Sequence, residues 1–472
     1  MFKFSRKKSY PFVTQLQDAE LWKRYTKAEL IEDLNYMVNT NEEVHPNLYF
    51  SFSKEKAAQH LDKVRTQLKD GISRTEFYTR IAPFTANFND GHTMINIPHE
   101  EYVKSDHFGS VRFPLKVKCS PVEMTITGSI LEEFDNLSGR RICKINHEPV
   151  SHLMTEMTSM LSGENLHFKY GHTSSEFSKL LFLLRDGSEK YLLELVGDSG
   201  PEEVVVPGIN RADSMNDKTR TNPILAESYT IDIHADNSCA VLTLLRCEDE
   251  TKFKAFIQKV FENLAKDRVN NLIIDLRHNG GGSSSIGDEL CAYLTNQPIC
   301  QFTGMKMKIS EKIKKMYAGR YRKTAIFPKN MIPVSFLWAP LRMSSGSIFS
   351  MSVDKVIPLE RSPLFDGKVF VITSHITFSA ASSLAAMIKE NGLGKLIGEP
   401  TGGCSSCYGD VFSYTLPNTK LLCGVSHKFF IGPDGNNEPA PISPDYHAKD
   451  FGIDLHGVKA ITDIVNSIDK FV

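Results

Sequence analysis

The sequence predicts an α/β protein with a mixed sheet, preceded by an N-terminal helical region and a small β-rich module. Three observations support this prediction. Apolar residues at helical spacing follow helix-capping motifs in residues 1–105. Short runs of alternating character, typical of half-buried strands, fill residues 106–207. From residue 228 onward strand-like runs alternate with helix-like runs, and we assign residues 208–472 to the α/β core.

Three helices and a turn are expected in the N-terminal region. The capping box Thr26–Glu29 opens the first helix, and a second helix opens near Ser53. Another capping box, Ser73–Glu76, starts the third. The polar turn Asn89–Thr93 then precedes a short strand at Met94–Ile97.

The rest of the chain is predicted from the same kinds of pattern. The β-rich module contains strand-like runs and one helix near Ser151–Leu161, and a polar, turn-rich linker occupies residues 208–227. Residues 251–267 carry an apolar stripe at helical spacing. Residues 271–276 form a continuous apolar run, which predicts a strand covered on both faces.

The composition limits the class of protein. Hydrophobic residues make up 41% and charged residues 24% of the 472 residues, and the net charge is −1. These values are ordinary for a soluble globular protein and favour neither nucleic acid nor an anionic membrane as a partner. No apolar run reaches the ~20 residues needed to span a bilayer, and the basic N-terminal segment lacks the apolar stretch of a secretory signal. We expect the nine scattered cysteines to be mostly reduced thiols in a cytoplasmic protein.

The first candidate for chemistry is the stretch at residues 369–403. It predicts a buried strand, a polar turn, a helix that opens at Ser379 and a second strand. A serine at a helix N-terminus just after a strand suits a nucleophile, because free N–H groups there stabilise a developing oxyanion. Thr377 and Ser379 also suit the role of helix cap, and position alone favours the cap.

A glycine-rich loop, Asn279–Gly282, follows the buried strand at residues 271–276. Its three glycines let the backbone approach a ligand and direct N–H groups inward, although a flexible turn explains the pattern equally well. A phosphate-binding loop is disfavoured because no Gly-Lys-Ser/Thr follows.

Other chemically interesting residues are ambiguous when taken singly. A lone loop histidine such as His92 is ordinarily solvated, and an acidic residue in a turn-rich segment, such as Glu438, is ordinarily a surface group. Cys404 and Cys407 form a C-x-x-C pair that lacks a second pair of zinc ligands nearby. We interpret these cysteines as ordinary thiols, or as one thiol lining the active site.

Taken together, the motifs resemble the tail-specific, or carboxy-terminal processing, serine peptidases, especially their tricorn-core-like branch. The matching segments appear in the family's order. They are HPNLYF and FNDGHTMI in the N-terminal region, the module at 106–207 in the place of the PDZ-like domain, IIDLRHNGGG at 273–282, the stretch from TFSA to EPTGG at 377–403, and EPAPISPDYHAKDFGIDLHGVKA at 438–460. The resemblance implies a crotonase/ClpP-like protease core beside a PDZ-like domain.

The resemblance also implies which residues act. One layout of the family pairs the serine with a lysine, but Cys404 stands at that position here. The other layout uses a serine, the histidine of the "DGHT" turn and a late glutamate, which correspond to Ser379, His92 and Glu438. In this layout His92 would accept the serine proton, and Glu438 would orient the imidazole and stabilise its charged form.

The remaining expectations concern the oxyanion, the loop and the partners. Backbone N–H groups of Gly281 and Ala380 would hold the oxyanion. Asp275 and Arg277 are expected to pair with neighbours and fix the glycine loop. Peptides or proteins are the implied substrates, added as a strand to the PDZ-like domain. We expect no cofactor and no metal, and we leave a homo-oligomer open.

Two rival hypotheses use the same scaffold. The first is a catalytically inactive module that binds ligands or peptides, as in interphotoreceptor retinoid-binding proteins. Ser382 stands where many members carry glutamate, and a His92 ring out of hydrogen-bond reach of Ser379 would favour this rival. The second is a thiol enzyme that uses Cys404 in the position of the absent lysine.

Overall fold

The computed structural model of the chain describes residues 21–104, 111–197, 200–210, 227–234, 238–324, 341–457 and 459–471. Most of the predicted linker at 208–227 and the basic N-terminal segment lie outside the described residues. Within the described ranges, no helix is both long enough and apolar enough to cross a lipid bilayer.

Strands and helices alternate along most of the described chain. The strands are β1 (Arg24–Tyr25), β2 (Ile72–Ser73), β3 (Met94–Ile95), β4 (Leu115–Cys119), β5 (Met124–Ser129), β6 (Arg141–Ile145), β7 (Glu148–Pro149), β8 (Lys190–Gly197), β9 (Gly200–Pro207), β10 (Tyr229–His234), β11 (Cys239–Leu244), β12 (Asn271–Asp275), β13 (Gly304–Lys308), β14 (Ile348–Ser352), β15 (Lys368–Thr373), β16 (Lys395–Gly398), β17 (Cys407–Thr415), β18 (Leu422–Ile431) and β19 (Tyr446–His447). The α-helices are α1 (Lys27–Val44), α2 (Lys54–Gln67), α3 (Arg74–Ala86), α4 (His99–Lys104), α5 (Val150–Ser159), α6 (Leu166–Arg185), α7 (Glu250–Lys266), α8 (Ser285–Cys291), α9 (Glu311–Thr324), α10 (Ala380–Glu390) and α11 (Ala460–Asn466). Short 3₁₀ helices lie at Glu132–Leu137, Ala448–Phe451 and Ile468–Lys470.

The N-terminal helices begin where the capping motifs predicted them. Thr26 and Ser73 each form a complete capping box with the glutamate three residues later, and these boxes open α1 and α3. α2 begins directly after Ser53, whose hydroxyl caps it. The strand predicted at Met94–Ile97 is present but shorter, since only the two residues of β3 form strand pairs.

The β-rich module contains an antiparallel sheet with strand order β4-β5-β6-β8-β9, and β7 pairs with β6. The helix predicted at Ser151–Leu161 is confirmed as α5. α6 was not predicted, because its first half contains Gly171 and several serine and threonine residues, which are poor helix formers. β9 was also missed, because most of its residues are exposed and charged residues interrupt its apolar pattern.

The core sheet has the strand order β10-β11-β12-β15-β16-β19. β11, β12, β15, β16 and β19 run parallel, and β10 is antiparallel to β11. Leu272 and Ile274 of β12 pack against α7, α8 and α10 on one face, whereas Ile273 packs against α11 on the other. Helices thus cover both faces, as the continuous apolar run predicted.

A second antiparallel sheet joins the N-terminal region to the core. Its strand order is β14-β13-β18-β17, and β3 pairs with β18 so that Met94 lies opposite Gly424. Glycine fits at position 424 because a Cβ there would lie 2.8 Å from Cγ1 of Val411. The pairing holds the turn Asn89–Thr93 beside the core, although the two strands are far apart in sequence.

Candidate active site

Ser379 lies at the junction of β15 and α10, where the sequence predicted it. Its backbone has a φ of 53° and a ψ of −126°, and its side chain makes no capping hydrogen bond to α10. Such a sparsely populated conformation in a residue other than glycine is most often found at functional sites. The hydrogen bonds of Ser379 therefore do not support its interpretation as a helix cap.

Hydrogen bonds tie the turn that carries Ser379 to the segment before the glycine loop. The Ser374 hydroxyl donates to the carbonyl of Arg277 at 2.6 Å, and the Thr377 hydroxyl donates to the carbonyl of Leu276 at 2.8 Å. The backbone N–H of Phe378 donates to the carbonyl of Asn279 at 3.0 Å. The turn and the loop are therefore held side by side.

His92 lies within hydrogen-bond reach of Ser379. Its Nε2 is 3.0 Å from the Ser379 Oγ. Asp90 shapes the turn that presents the ring, because it accepts the His92 backbone N–H at 2.9 Å and the Thr93 hydroxyl at 2.6 Å. Asp90 is itself fully buried and is hydrogen-bonded to His45 at 3.2 Å.

The surroundings of His92 favour its neutral form. Burial lowers the pKa of His92 below its ordinary value, and the charges of Asp90 and Asp410 together with the backbone of Tyr408 partly oppose that effect. The nearest distance between Nδ1 and the Asp90 carboxylate is 3.8 Å, which is too long for a hydrogen bond. Nδ1 is buried and has no partner with hydrogen-bond geometry within the described residues. Nε2 is therefore available as a base for Ser379, but no carboxylate bond fixes the tautomer of the ring.

Aromatic stacking holds the His92 ring in place. The ring of Phe378 stacks on His92 at a centroid distance of 4.8 Å and on Phe168 at 4.5 Å. Gly91 makes this approach possible, because a Cβ there would lie 2.6 Å from Cζ of Phe378. A larger residue at position 91 would push the stack apart.

Glu164 is a partly buried residue beside His92 that was not singled out from the sequence. Its Oε2 has no hydrogen-bond partner within the described residues, and it would lie 3.0 Å from a Cβ at Gly91. Burial, together with the charge of Asp90, raises the pKa of Glu164 to about 8, so the carboxyl is mostly protonated at neutral pH. Glu164 lies just before α6, a helix that was not predicted, so no sequence pattern marked it as a site residue.

Gly281 packs directly against Ser379 and Ala380. Its φ is +102°, and a Cβ there would lie 2.7 Å from the Ser379 Cβ and 3.0 Å from the Ala380 nitrogen, so only glycine fits. The Ala380 N–H makes no hydrogen bond within the described part of the chain. The Gly281 N–H, in contrast, donates to Oδ1 of Asn279 at 2.8 Å. One of the two predicted oxyanion donors is therefore occupied in this conformation.

The structure does not bring Glu438 to His92. Glu438 is exposed in the turn-rich segment after β18, and its backbone N–H donates to Oδ1 of Asn436 at 3.0 Å. Within the described residues, no hydrogen bond or ion pair joins its side chain to His92. The carboxyl groups beside the ring are those of Asp90 and Glu164 instead.

The surroundings of the other residues singled out from the sequence indicate structural roles. Cys404 is 2% exposed, and burial raises the pKa of its thiol well above its usual range, which disfavours it as a nucleophile. Arg277 pairs with Asp275 at 2.8 Å and donates to the carbonyl of Leu455 at 2.6 Å. These bonds anchor the start of the glycine loop.

Two groups of side chains near the Ser379 turn have the composition of metal ligands. Asp90, His92 and Glu164 form one group, and His375, Glu399 and His456 form a second. In each group the potential ligand atoms lie within 4.8 Å of one another. In the first group His92 already contacts Ser379.

A serine at a strand–helix junction, beside a partly buried histidine in a mixed α/β fold, is an arrangement typical of serine-type hydrolases. Residues 238–448 match the model of Peptidase family S41. These residues therefore form a domain of this peptidase family, and the chain is a serine peptidase. The sequence-based identification with the tail-specific serine peptidases is thereby confirmed.

Two solved structures of CPAF share the fold of this chain. A serine-to-alanine mutant of CPAF is similar with a TM-score of 0.67 and 13% identity, over 94% of this chain and 97% of that chain. Mature CPAF gives a TM-score of 0.62 and 13% identity over 94% and 97% of the two chains. The photosystem II D1 C-terminal processing protease gives 0.44 and 14% identity over 89% and 93%. No curated protein sequence matches the chain.

Proposed function

We propose that the protein hydrolyses peptide bonds with Ser379 as the nucleophile and His92 as the general base. The observation that supports this proposal is the distance of 3.0 Å between the Ser379 Oγ and Nε2 of His92. The low pKa of His92 adds support, because a neutral imidazole is the form that accepts a proton. A His92 ring out of reach of Ser379 would have favoured the inactive-module rival, so the distance does not favour it.

In the proposed reaction His92 first accepts a proton from Ser379 and then donates it to the leaving amine. The Ser379 oxygen bonds to the carbonyl carbon of the substrate while its proton passes to Nε2 of His92. His92 then gives that proton to the leaving amine as the C–N bond breaks, which leaves an acyl ester on Ser379. A water molecule, deprotonated by His92, hydrolyses the ester and restores the free serine.

The proposed oxyanion hole consists of the N–H groups of Ala380 and Gly281. The Ala380 N–H lies at the start of α10, has no partner within the described residues, and benefits from the helix dipole. The Gly281 N–H becomes available only if the Asn279 side chain releases it. We therefore propose that substrate binding moves the Asn279 amide or the Gly281 peptide.

The third member of the catalytic group has three candidates. Glu438 is the residue that the family resemblance implies, and its role requires the exposed turn to move toward His92. Asp90 is charged and near the ring, because burial, which would raise its pKa, is outweighed by the bonds from His45 and by other partners. Glu164 is near but mostly protonated. We propose Asp90 as the group that stabilises the charged ring in the present conformation, with Glu438 as the rival.

The β-rich module is proposed to hold extended peptide substrates, as a PDZ-like domain would. β9 is the last strand in the order of its sheet, and its first residues are exposed. A peptide that adds to such an edge gains backbone hydrogen bonds. α6 of the same region brings Phe168 to the catalytic turn, which joins the module to the site. A preference for C-termini, a cytoplasmic location and a homo-oligomer stay predictions.

The decisive experiment combines active-site labelling with a cleavage assay. A fluorophosphonate probe should label the full chain at Ser379, as mapped by mass spectrometry. A proteome-derived peptide library should be cleaved by the wild type but not by Ser379→Ala or His92→Ala. Ser383→Ala is the matched control, because this serine lies on the same helix and its hydroxyl bonds only the Ser379 carbonyl, at 3.3 Å. Labelling at another residue, or normal cleavage by folded His92→Ala, would contradict the proposal.

A further inference from the structure

Two histidines and one glutamate converge near the turn that carries Ser379. Nδ1 of His375 is 2.7 Å from Oε2 of Glu399. Nε2 of His456 is 3.0 Å from Oε1 and 3.1 Å from Oε2 of the same carboxylate. We name these three residues the His375 cluster. No step of the proposed peptidase reaction uses them.

The topology of the core sheet explains why the His375 cluster forms. β15, β16 and β19 are parallel neighbours, so their carboxyl ends meet at one edge of the sheet. His375 lies two residues beyond β15, Glu399 lies directly after β16, and His456 lies in the segment that follows β19. Ligands of α/β proteins bind outside this edge.

The backbone around the cluster is fixed before any ligand binds. The Glu399 N–H donates to the carbonyl of Thr373 at 3.0 Å, and the Thr373 hydroxyl donates to the carbonyl of Glu399 at 2.8 Å. Next to His456, the carbonyl of Leu455 accepts from Arg277 at 2.6 Å. The backbone at Glu399 and next to His456 is thus held by neighbours outside the cluster.

The imidazole of His375 occupies a space that a glycine provides. A Cβ at Gly171 of α6 would lie 2.4 Å from Cδ2 and 2.8 Å from Nε2 of this ring. The cluster is nevertheless open to solvent, since 18% of the His375 side chain and 35% of the Glu399 side chain are exposed. An ion can therefore enter, while the first ring is held in one place.

We propose that the His375 cluster binds a divalent transition-metal ion of the zinc type. Two imidazoles and one carboxylate are a zinc ligand set, and three protein ligands leave a fourth position for water. Ions that prefer only oxygen ligands, such as Ca²⁺ and Mg²⁺, fit this set poorly. The sequence analysis expected no metal, because the three residues are separated in the chain and form no spaced motif.

Binding requires only a small adjustment of the three side chains. Tetrahedral bonds of about 2.0–2.1 Å place ligand atoms about 3.3 Å apart, so the present hydrogen-bond separations must widen by a few tenths of an ångström. The ring protons that now face Glu399 are replaced by the ion. Burial alone would raise the pKa of Glu399, but the bonds from His375 and His456 outweigh burial and keep the carboxyl ionised.

A bound ion would link three segments that now meet through hydrogen bonds. One of these segments is the turn at residues 374–379, and His375 precedes Ser379 by four residues. We expect the ion to stiffen the turn that carries the nucleophile, and so to raise the melting temperature. Binding does not depend on the proposed peptidase mechanism, and its readout is independent of activity.

The test uses the full chain after removal of metals by a chelator. Equilibrium dialysis against micromolar Zn²⁺, with metal quantified by mass spectrometry, should give one tightly bound ion per chain. His456→Ala and Glu399→Gln should each weaken binding by more than about 100-fold, since even loss of a supporting partner weakens metal sites by 10–100-fold. Glu399→Gln keeps the side-chain shape, so it serves if His456→Ala fails to fold.

Two control variants address the other groups that could hold a metal. Glu148, His152 and Glu156 form an exposed group, and Asp90, His92 and Glu164 form the group beside Ser379. His152→Ala and His92→Ala should both retain the tightly bound ion. Replacement of Zn²⁺ by Co²⁺ should give visible bands without the thiolate charge-transfer absorption that cysteine ligands produce.

Three results would overturn the proposal. The first is a wild-type chain that binds no stoichiometric Zn²⁺ at micromolar concentration. The second is unchanged binding in folded His456→Ala and Glu399→Gln. The third is a Co²⁺ spectrum with thiolate absorption, or loss of the ion in His92→Ala, because either would place the metal elsewhere.

Discussion

Two carboxyl groups near the turn at residues 374–379, those of Glu399 and Glu164, have pKa values that are shifted in opposite directions. Burial would raise the pKa of Glu399, but hydrogen bonds from His375 and His456 outweigh it and hold that pKa well below its usual range. On the side of Ser379, burial and the charge of Asp90 raise the pKa of Glu164 to about 8. The two glutamates differ because one has cationic or hydrogen-bonding partners and the other has an anionic neighbour.

Because of this difference, we expect the arrangement around Glu399 to stabilise the protein and the arrangement around Glu164 to lower its stability. A buried polar atom without a partner costs about 1–3 kcal/mol, and Oε2 of Glu164 is such an atom within the described residues. Enzymes commonly retain such groups where they are needed for function. We therefore expect the groups around Glu164 to lower the stability of the protein while serving catalysis. We expect the hydrogen bonds of Glu399 to stabilise the turn.

The largest expected effect comes from removing the nucleophile. Ser379→Ala should lower kcat/KM for peptide cleavage by about 10⁴-fold or more, since loss of a triad member has effects of this size. The melting temperature should stay within a few degrees of the wild type, because the Ser379 hydroxyl neither caps α10 nor fills the core. Peptide hydrolysis and differential scanning fluorimetry measure the two quantities. A loss of less than about tenfold in a folded variant would refute the role of Ser379.

The second largest effect is expected at Gly281 of the glycine loop, and its neighbour Gly280 provides the comparison. Gly281→Ala should lower kcat by about 100-fold or more, because its Cβ would lie 2.7 Å from the Ser379 Cβ and would displace an oxyanion donor. Gly280→Ala is the matched control, since a Cβ there meets no atom within 4 Å. Steady-state kinetics of the two variants should therefore diverge. Equal losses in both would mean that loop flexibility, and not the approach of Gly281 to Ser379, matters.

A third prediction tests the comparison of the two glutamates directly. The folded chain holds a proton on Glu164 up to about pH 8, whereas the unfolded chain releases it near pH 4.5, so this group lowers stability as pH rises through that range. Glu164→Gln should consequently stabilise the protein more at pH 9 than at pH 5, by up to about 4 kcal/mol. Urea unfolding at the two pH values measures the difference.

Glu399→Gln is the counterpart and should act with the opposite sign. The lowered pKa of Glu399 contributes stability that is present above pH 4.5 and is lost as pH falls below it, so the substitution should destabilise the protein at pH 7. Stabilisation at pH 7 by this substitution, or a pH-independent effect of Glu164→Gln, would remove the contrast between the two sides.

The smallest expected effect concerns the charge beside His92. Burial lowers the pKa of His92, so cleavage should decline only as pH falls below 6.5. Asp90→Asn removes a charge that raises this pKa and should move the acid limb of kcat/KM to lower pH, by about one pH unit. Glu438→Gln should leave the limb in place if Asp90 is the stabilising group. A shift in Glu438→Gln alone would favour the triad that the sequence predicted.

Much of the fold was readable because its determinants are local. The capping boxes at Thr26 and Ser73 and the apolar run of β12 depend on neighbouring residues, and each appeared where it was predicted. α6 was missed because tertiary packing, rather than helix propensity, stabilises a segment that contains Gly171.

The candidate site was only partly readable for the same reason. The proximity of Ser379 and His92 followed from a family pattern, and their distance fits it. Glu164 and the Glu399 side of the turn depend on contacts between distant segments, which leave no spacing to recognise. The convergence of parallel strands at their carboxyl ends was the one signal that could have pointed to Glu399.

The pairing of β3 with β18 has a consequence for the order in which the enzyme matures. His92 is made early in translation, but its turn is fastened to the core through Met94 and Gly424, which are synthesised far apart in time. Loop closure over so many residues is slow compared with local folding. In a nascent chain this pairing therefore cannot hold the His92 turn against the core until synthesis has passed position 424.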